Sequence, residues 1–159
     1  NDIVISFGDV IVDDNIMKQV IESTYDIGVA IDLKWEKNYE NRTQHPKSEA
    51  DLALIRSNKL IKIKKNLDSV ENHQLGEFLG IMKLSGVGSK KFLDVFERLN
   101  SSHEGKFHDA SSFQKAYLTD MIQELVDSQI RVEPVFISGK WCEIDTMQDL
   151  KIAEKIFQN

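Results

Sequence analysis

The chain has 159 residues, of which 41% are hydrophobic and 29% are charged, and its formal net charge at pH 7 is -6. This balance fits a soluble globular domain and argues against a general nucleic-acid-binding surface, which needs a basic footprint. The single cysteine, Cys142, excludes an internal disulfide, so we expect a cytoplasmic protein. No apolar run approaches the ~20 residues that a membrane span requires.

Strands and helices are predicted to alternate along the first half of the chain. The expected elements are a buried strand at 1–7, a short extension at 10–12, a helix from 13, a buried central strand at 26–34, a polar and aromatic loop or extended flap at 35–47, and a hairpin of strands at 50–56 and 60–64. The hairpin is indicated by a turn-prone triplet, Ser57-Asn58-Lys59, between two apolar runs.

The second half continues the same alternation. We expect a polar connection at 66–74, a strand at 75–85, a helix after Gly86, a loop at 101–112, a helix at 116–128, a strand at 132–137 and a helix at 147–157. The order predicts an α/β fold with a mixed, mostly parallel sheet flanked by helices. Because the chain lacks an initiator Met and opens inside a predicted core strand, we expect 1–159 to be a single domain that forms the C-terminal part of a larger one.

Two aspartates follow predicted strands at opposite ends of the chain. Asp9 lies just past the first strand, and Asp145 lies past the strand at 132–137. Ligands of open α/β sheets bind outside the carboxyl ends of strands, and Mg²⁺ favours one or two carboxylates there. Asp9 can equally be a turn residue, and Asp145 can equally cap the following helix. The pair suggests a shared metal ion more strongly than either residue does alone.

The flap at 35–47 is a second candidate site. It places Trp35 and Tyr39 beside Arg42, His45 and Lys47 in an otherwise acidic chain. Arg42 and Lys47 can bind a phosphate or phosphonate group, and the two aromatic rings can face an ammonium group. A solvated loop whose aromatic residues fix it to the body explains the pattern equally well.

Two glutamates add to the predicted substrate-binding set. Glu77 leads into an apolar strand, where a substrate contact and a salt bridge are both open interpretations. Glu143 forms an acidic pair with Asp145 at the strand-to-helix corner, where burial without a partner is costly.

Several motifs together resemble a known family. They are Ser6-Phe7-Gly8-Asp9-Val10, the run with Trp35, Tyr39, Arg42, His45-Pro46 and Glu49-Ala50, the segment Gly76-Glu77-Phe78-Leu79-Gly80, and the string Trp141-x-Glu143-Ile144-Asp145-Thr146-x-x-Asp149-Leu150. The chain resembles the later part of small nucleotidyltransferases of the phosphocholine and 2-aminoethylphosphonate cytidylyltransferase kind. A similar domain is fused to phosphoenolpyruvate mutase in phosphonate pathways.

The resemblance implies a nucleotide-diphospho-sugar transferase-like fold and a magnesium-dependent reaction. CTP would transfer its cytidylyl group to a small phosphorylated or phosphonate acceptor and release pyrophosphate. Asp9 and Asp145 would hold the Mg²⁺ and be the whole of the catalytic apparatus. The acceptor would lie against Trp35, Tyr39, Arg42, His45 and Lys47, with Glu77 and Glu143 completing the substrate-binding residues.

This sequence departs from the family in one respect. The glycine-rich segment with an Arg and a Lys, which binds the nucleotide in such enzymes, is not found in these residues, so we expect the 159 residues alone to be inactive. Two alternatives remain open, namely a non-catalytic structural or oligomerisation domain of the same fold and a sugar-1-phosphate nucleotidyltransferase. A homo-oligomer is compatible with this sequence, and neither a nucleic-acid nor a membrane partner is expected.

Overall fold

A mixed β-sheet forms the centre of the computed structural model, which describes residues 1–158. The strands are β1 (Ile3–Ser6), β2 (Val10–Val12), β3 (Ile27–Asp32), β4 (Asp51–Arg56), β5 (Lys59–Lys65), β6 (Gln74–Leu84), β7 (Glu133–Phe136) and β8 (Trp141–Glu143). The helices are α1 (Asp14–Glu22), α2 (Gly86–Ser102), α3 (Leu118–Asp127) and α4 (Met147–Phe157), with 3₁₀ turns at Trp35–Tyr39, Lys47–Glu49 and Phe113–Lys115.

Strand β6 organises the main sheet. The order is β5-β4-β6-β3-β7, and β1 pairs with β6 beside this path. Strands β1, β3 and β4 all run antiparallel to β6, and β7 runs parallel to β3, so β1, β3, β4 and β7 share one direction. The expected mixed sheet flanked by helices is confirmed. Four of the six strands in the main sheet share one direction, as expected of a mostly parallel sheet. Within residues 1–158, however, β3–β7 is the one parallel pair of neighbours, because β6 and β5 run antiparallel to the strands beside them.

Strands β1 and β4 lie end to end along β6. Ser6 at the end of β1 pairs with Ile81, while Leu52 near the start of β4 pairs with Glu77. Between these two registers, the backbone of Gly80 has φ +75°, a conformation that residues other than glycine rarely adopt. A Cβ at this position would also collide with the ring of Phe7. Phe7, which follows β1, lies at this junction and donates its N–H to the carbonyl of Gly80 at 3.0 Å.

Apolar residues cover both faces of the sheet. Alternate residues of β3 point to opposite sides, so Ile27, Val29 and Ile31 join one core while Ala30 joins the other. Helices α2 and α3 close the first core, which includes Leu99 from α2 and Ile122 and Leu125 from α3. Helix α1 closes the second with Ile16 and Val20, together with Trp141 of β8.

The prediction that the first strand is buried was wrong. Ile3 is 49% exposed and Val4 is 37% exposed. The register gives β1 one partner, β6, among the described residues, so its side chains are covered less than those of the central strands. Apolar composition therefore identified the strand correctly but not its position at an edge of the sheet.

Residues 35–49 do not form an extended flap, and their aromatic residues fix them to the body as the loop alternative predicted. They form two 3₁₀ turns that pack onto the body, and Trp35 and Tyr39 make a buried cluster with Ala50 and Leu52. The aromatic side chains draw this polar segment inward, so Arg42 and His45 are buried, while Lys47 stays exposed.

No helix within residues 1–158 is long and apolar enough to cross a membrane.

Candidate functional site

A two-stranded sheet outside the main one brings the two ends of the chain together. Strand β2 pairs antiparallel with β8, with Val10 opposite Glu143, and the N–H of Ile144 donates to the carbonyl of Asp9 at 2.9 Å. The residues that follow β1 therefore lie beside those that follow β8. This pairing places Asp9 next to the corner that carries Asp145.

Both aspartates line one cleft of about 690 Å³. The cleft lies beside the junction of β1 and β4, and Glu143 and Asp51 also line it, as do Lys64 and Lys65 of β5. Asp9 and Asp145 are exposed to solvent, so their carboxylates are accessible from the cleft. The predicted convergence of the two aspartates on one region is thus present in the fold, while their role as metal ligands remains a prediction.

Thr146, and not Asp145, caps helix α4. The Thr146 hydroxyl accepts from the N–H of Asp149, and the Asp149 carboxylate accepts in return from the N–H of Thr146 at 2.9 Å. This reciprocal arrangement is a capping box. Since the cap is complete without it, the Asp145 carboxylate is available for a ligand.

Arg42 lies in a buried ion pair. Its Nε donates to Asp149 at 2.9 Å, its Nη2 donates to the carbonyl of Glu143 at 3.3 Å, and the two charged side chains are only 2% and 0% exposed. Burial acts to raise the pKa of Asp149, but hydrogen bonds from Arg42 and Thr146 outweigh it and hold the pKa below its usual value. The guanidinium thus binds segment 35–49 to α4, and its predicted contact with substrate is untested.

The aromatic pair of the same segment is also engaged within the protein. Trp35 and Tyr39 pack edge to face, with ring centroids 5.8 Å apart. The Arg42 guanidinium lies 5.0 Å from the Tyr39 centroid, and Lys47 Nζ lies 5.8 Å from that of Trp35. Lys47 itself is exposed and pairs with Glu36 at 3.2 Å. Cations of the chain therefore already face the rings that we expected to receive an ammonium group.

Glu77 is a buried carboxyl in a small pocket that shares Asp51 and Glu143 with the cleft. It is 2% exposed, its Oε1 accepts a short hydrogen bond from the Tyr39 hydroxyl, and its Oε2 has no hydrogen-bond partner. Burial raises the pKa of Glu77 to about 8, although the Tyr39 hydrogen bond acts to lower it. Burial and the Glu77 charge likewise raise the pKa of Tyr39 above its usual value. Within the described contacts, Glu77 makes no salt bridge, which was one of its two predicted roles.

Replacing Glu77 by glutamine is expected to stabilise the protein at high pH. A carboxyl with a raised pKa favours folding most when protonated, so this stability is present below the unfolded pKa of about 4.5 and is lost as the pH rises through about 8. Urea unfolding at pH 5 and pH 9 should show little difference at pH 5 and a gain for Glu77→Gln of roughly 2–4 kcal/mol at pH 9. Glu97→Gln, on the exposed side of α2, is the control. Equal stabilities of Glu77→Gln and the parent at pH 9 would contradict this account of Glu77.

His45 joins the acidic corner of the cleft. Its ring is buried, with Nδ1 3.1 Å from Asp145 Oδ2 and Nε2 3.6 Å from Glu143 Oε2. Burial and the charges of Asp145 and Asp9 raise the pKa of Glu143 to about 7. Ligand atoms of His45, Glu143 and Asp145 all lie within 4.8 Å of one another, which is close enough to share a metal ion. The carboxylate oxygens at this corner are suitable ligands for Mg²⁺.

Two carboxylates of the site were missed by sequence reasoning. Asp51 opens strand β4 and lines the cleft beside Lys64 and Lys65. Asp149 is the partner of Arg42, 107 positions away. A carboxylate at the start of an apolar run is a signal for Asp51, as it was for Glu77, whereas nothing local distinguishes Asp149 from any capping residue.

Comparison with known proteins supports the resemblance seen in the motifs. No family model matches the chain. A CTP:phosphoglutamine cytidylyltransferase of Campylobacter jejuni subsp. jejuni serotype O:2 is 23% identical over 151 residues, which are 95% of this chain and 58% of that protein. The predicted similarity to cytidylyltransferases is confirmed by this relative.

Two solved structures share the fold. The inositol-1-phosphate CTP transferase of T. maritima matches 98% of this chain and 54% of its own, with a TM-score of 0.64 and 18% identity. A Bacillus anthracis structure described as a glucose-1-phosphate thymidylyltransferase, in complex with a sucrose, matches 100% of this chain and 56% of its own, with a TM-score of 0.63 and 16% identity. The chain thus has a fold found in nucleotidyltransferases, and it spans less than two thirds of the length of each of these three proteins.

Proposed function

We propose that this chain, which has a nucleotidyltransferase fold and is similar to a cytidylyltransferase, supplies the metal- and acceptor-binding part of an enzyme. The reaction is the transfer of a cytidylyl group from CTP to a small molecule that bears a phosphate or phosphonate group, with release of pyrophosphate. The observation that carries this proposal is the convergence of Asp9 and Asp145, from opposite ends of the chain, on one cleft.

Asp9 and Asp145 are the ligands that we propose for a Mg²⁺ ion. In support, both line the cleft, neither serves as the cap of α4, and the charges of both contribute to the raised pKa of the Glu143 carboxyl. A bound Mg²⁺ would supply positive charge that offsets the repulsion between two anionic reactants. The proposed contribution of the two aspartates is to hold and orient that charge.

Lys64 and Lys65 of β5 bring positive charge to the same cleft. Both line the cleft, and Lys65 is held by Glu49 at 2.6 Å. We propose that they attract the phosphate or phosphonate group of the acceptor. Tyr39 and Arg42 support residues next to the cleft, because Tyr39 donates a hydrogen bond to Glu77 and Arg42 donates one to the carbonyl of Glu143. Trp35 packs against Tyr39.

The chemistry needs no protein nucleophile. An oxygen of the acceptor forms a bond to the α-phosphorus of CTP, and the bond from that phosphorus to the bridging oxygen of pyrophosphate breaks. Cys142 is unsuited to nucleophilic attack, because burial raises the pKa of its thiol and disfavours the thiolate. Positioning and charge stabilisation therefore account for the catalysis that we propose.

Phosphorus NMR tests the proposal directly. The protein that carries this chain is incubated with CTP, Mg²⁺ and one of several acceptors, namely phosphocholine, 2-aminoethylphosphonate, inositol 1-phosphate or glucose 1-phosphate. With at least one acceptor, we expect the signal of pyrophosphate and the signals of a cytidylyl product. That product contains a diphosphate linkage if the acceptor is a phosphate, and a phosphonate-phosphate linkage if the acceptor is a phosphonate. The 159 residues assayed alone, which contain no glycine-rich nucleotide segment, are expected to give neither signal.

Two outcomes would change the conclusion. Products from glucose 1-phosphate with TTP but not with CTP would favour the sugar-phosphate alternative. No product from any acceptor with either nucleotide, while the protein is folded by circular dichroism, would favour a non-catalytic domain of the same fold.

A further inference from the structure

A side pocket of about 220 Å³ adjoins the cleft, between strand β5 and helix α3 with the loop that precedes it. Neither of the proposed magnesium ligands lines this side pocket. The residues that line both the cleft and the side pocket are Ile63, Lys64, Asp109 and Asp120. A ligand that binds in the cleft at Lys64 can therefore extend into the side pocket.

Hydrogen bonds hold the walls of the side pocket in place. The Asp120 carboxylate is 7% exposed and accepts from the N–H of Asp109 at 3.3 Å and from that of Tyr117 at 2.9 Å. The Gln123 side chain of α3 accepts from the N–H of Ile63 in β5 at 2.8 Å. These bonds join β5, the loop and α3, so the side pocket is formed before any ligand binds.

Three charged side chains of the side pocket have no hydrogen-bond or ion-pair partner within residues 1–158. They are Lys62, Lys64 and Asp109. His108, in contrast, lies 3.1 Å from the Glu124 carboxylate, which also pairs with Arg98 at 3.1 Å. The uncommitted charges are thus two positive and one negative, which suits a ligand that bears both anionic and cationic groups.

The two lysines are spaced for two separate anionic groups. Lys62 pairs with Leu54 of β4 and Lys64 pairs with Leu52, so the register between them is regular. Residues two apart on a strand point to the same face and lie ~6.8 Å apart along it. If Lys64 attracts the phosphate of the acceptor, Lys62 is left for a second anionic group on the same molecule.

We propose that the acceptor is a phosphorylated amino acid, whose α-amino acid group occupies the side pocket. Lys62 binds its carboxylate and Asp109 binds its ammonium group, both by charge-assisted hydrogen bonds. This inference rests on the proposed function, which gives the phosphate of the acceptor its place at Lys64. Phosphates of simple amines or of sugars lack the carboxylate and leave Lys62 without a partner.

Isothermal titration calorimetry with three matched probes tests the proposal. The probes are O-phospho-L-homoserine, 3-aminopropyl phosphate, which lacks only the carboxylate, and 4-phosphooxybutanoate, which lacks only the ammonium group. The protein that carries this chain is titrated with each probe in the presence of Mg²⁺ and without CTP. We expect O-phospho-L-homoserine to bind about 10-fold more tightly than either of the other probes.

Two substitutions assign the preferences to their residues. Lys62→Gln should remove the preference over 3-aminopropyl phosphate and keep that over 4-phosphooxybutanoate, and Asp109→Asn should do the reverse. Both side chains are exposed, so the fold should tolerate the changes. Lys59→Gln and Asp68→Asn, at exposed positions that line neither the cleft nor the side pocket, are the controls and should keep both preferences.

Equal affinities of the parent protein for the three probes would overturn the proposal. It would also fail if a preference survived the matching substitution, or if no probe bound at millimolar concentration. The binding measurement does not depend on transfer. Cytidylyl transfer to an acceptor without an amino acid group, together with equal binding of the probes, would leave the proposed function standing and refute this inference alone. The expected preferences without any transfer would do the opposite.

Discussion

Replacing Asp145 with asparagine is expected to lower kcat/KM for cytidylyl transfer by about 100- to 1000-fold in the protein that carries this chain. The change keeps the shape of the side chain but removes a negative charge that we propose holds Mg²⁺ where charge develops in the transition state. Asp9→Asn should have an effect of similar size, because both carboxylates line the same cleft. Steady-state kinetics over a range of Mg²⁺ concentrations measure the effect.

The fold should tolerate both substitutions. The Asp145 side chain is 46% exposed, and the cap of α4 is made by Thr146 and Asp149 without it. Asp68→Asn, an exposed residue that does not line the cleft, should leave activity unchanged. Unaltered Mg²⁺ dependence in both Asp9→Asn and Asp145→Asn would rule out the proposed metal ligands.

The second large effect concerns stability. Arg42→Ala is expected to lower the free energy of unfolding by about 3–5 kcal/mol, because it leaves the Asp149 carboxylate buried without its partner. The contribution of the pair depends on ionised Asp149, whose pKa is lowered in the folded protein. It is therefore present above the unfolded pKa of about 3.8 and is lost as the pH falls through the lower, folded value.

Urea unfolding at neutral pH measures the loss in Arg42→Ala, and Arg98→Ala provides the matched control. Arg98 pairs with Glu124 at 3.1 Å, but its side chain is 56% exposed, so its removal should cost less than about 1 kcal/mol. If Arg42→Ala and Arg98→Ala lose the same small amount, Arg42 does not anchor segment 35–49. An effect of Arg42→Ala on acceptor KM without loss of stability would instead support its predicted contact with substrate.

The spacing of apolar residues predicts a helix or strand well where the element is determined by residues close to one another in the sequence. The apolar spacing that follows Asp145 and Thr146 predicts a helix at 147–157, which are the limits of α4. The continuous apolar run of β3 predicts a central strand, and all six of its residues are buried. The sequence does not reveal whether a strand has neighbours on one side or on both. The exposure of Ile3 and Val4 in β1, which pairs with β6 alone among the described strands, was therefore missed.

The candidate site depends on contacts that no local pattern contains. Strand β8 has three residues, and its partner β2 lies about 130 positions earlier in the chain. Without that pairing, the convergence of Asp9 and Asp145 rests on the general position of ligands in α/β sheets. The same limit applies to Arg42, because the choice between a substrate contact and a buried ion pair depends on the distant Asp149.

Anomalous diffraction from crystals soaked in Mn²⁺ would test the central claim, that Asp9 and Asp145 hold one divalent cation. Data collected at the manganese absorption edge locate the ion without reference to activity. We expect a peak at ~2.1–2.3 Å from a carboxylate oxygen of each aspartate. A peak that touches Asp145 but not Asp9, or no peak in the cleft at saturating Mn²⁺, would contradict the claim.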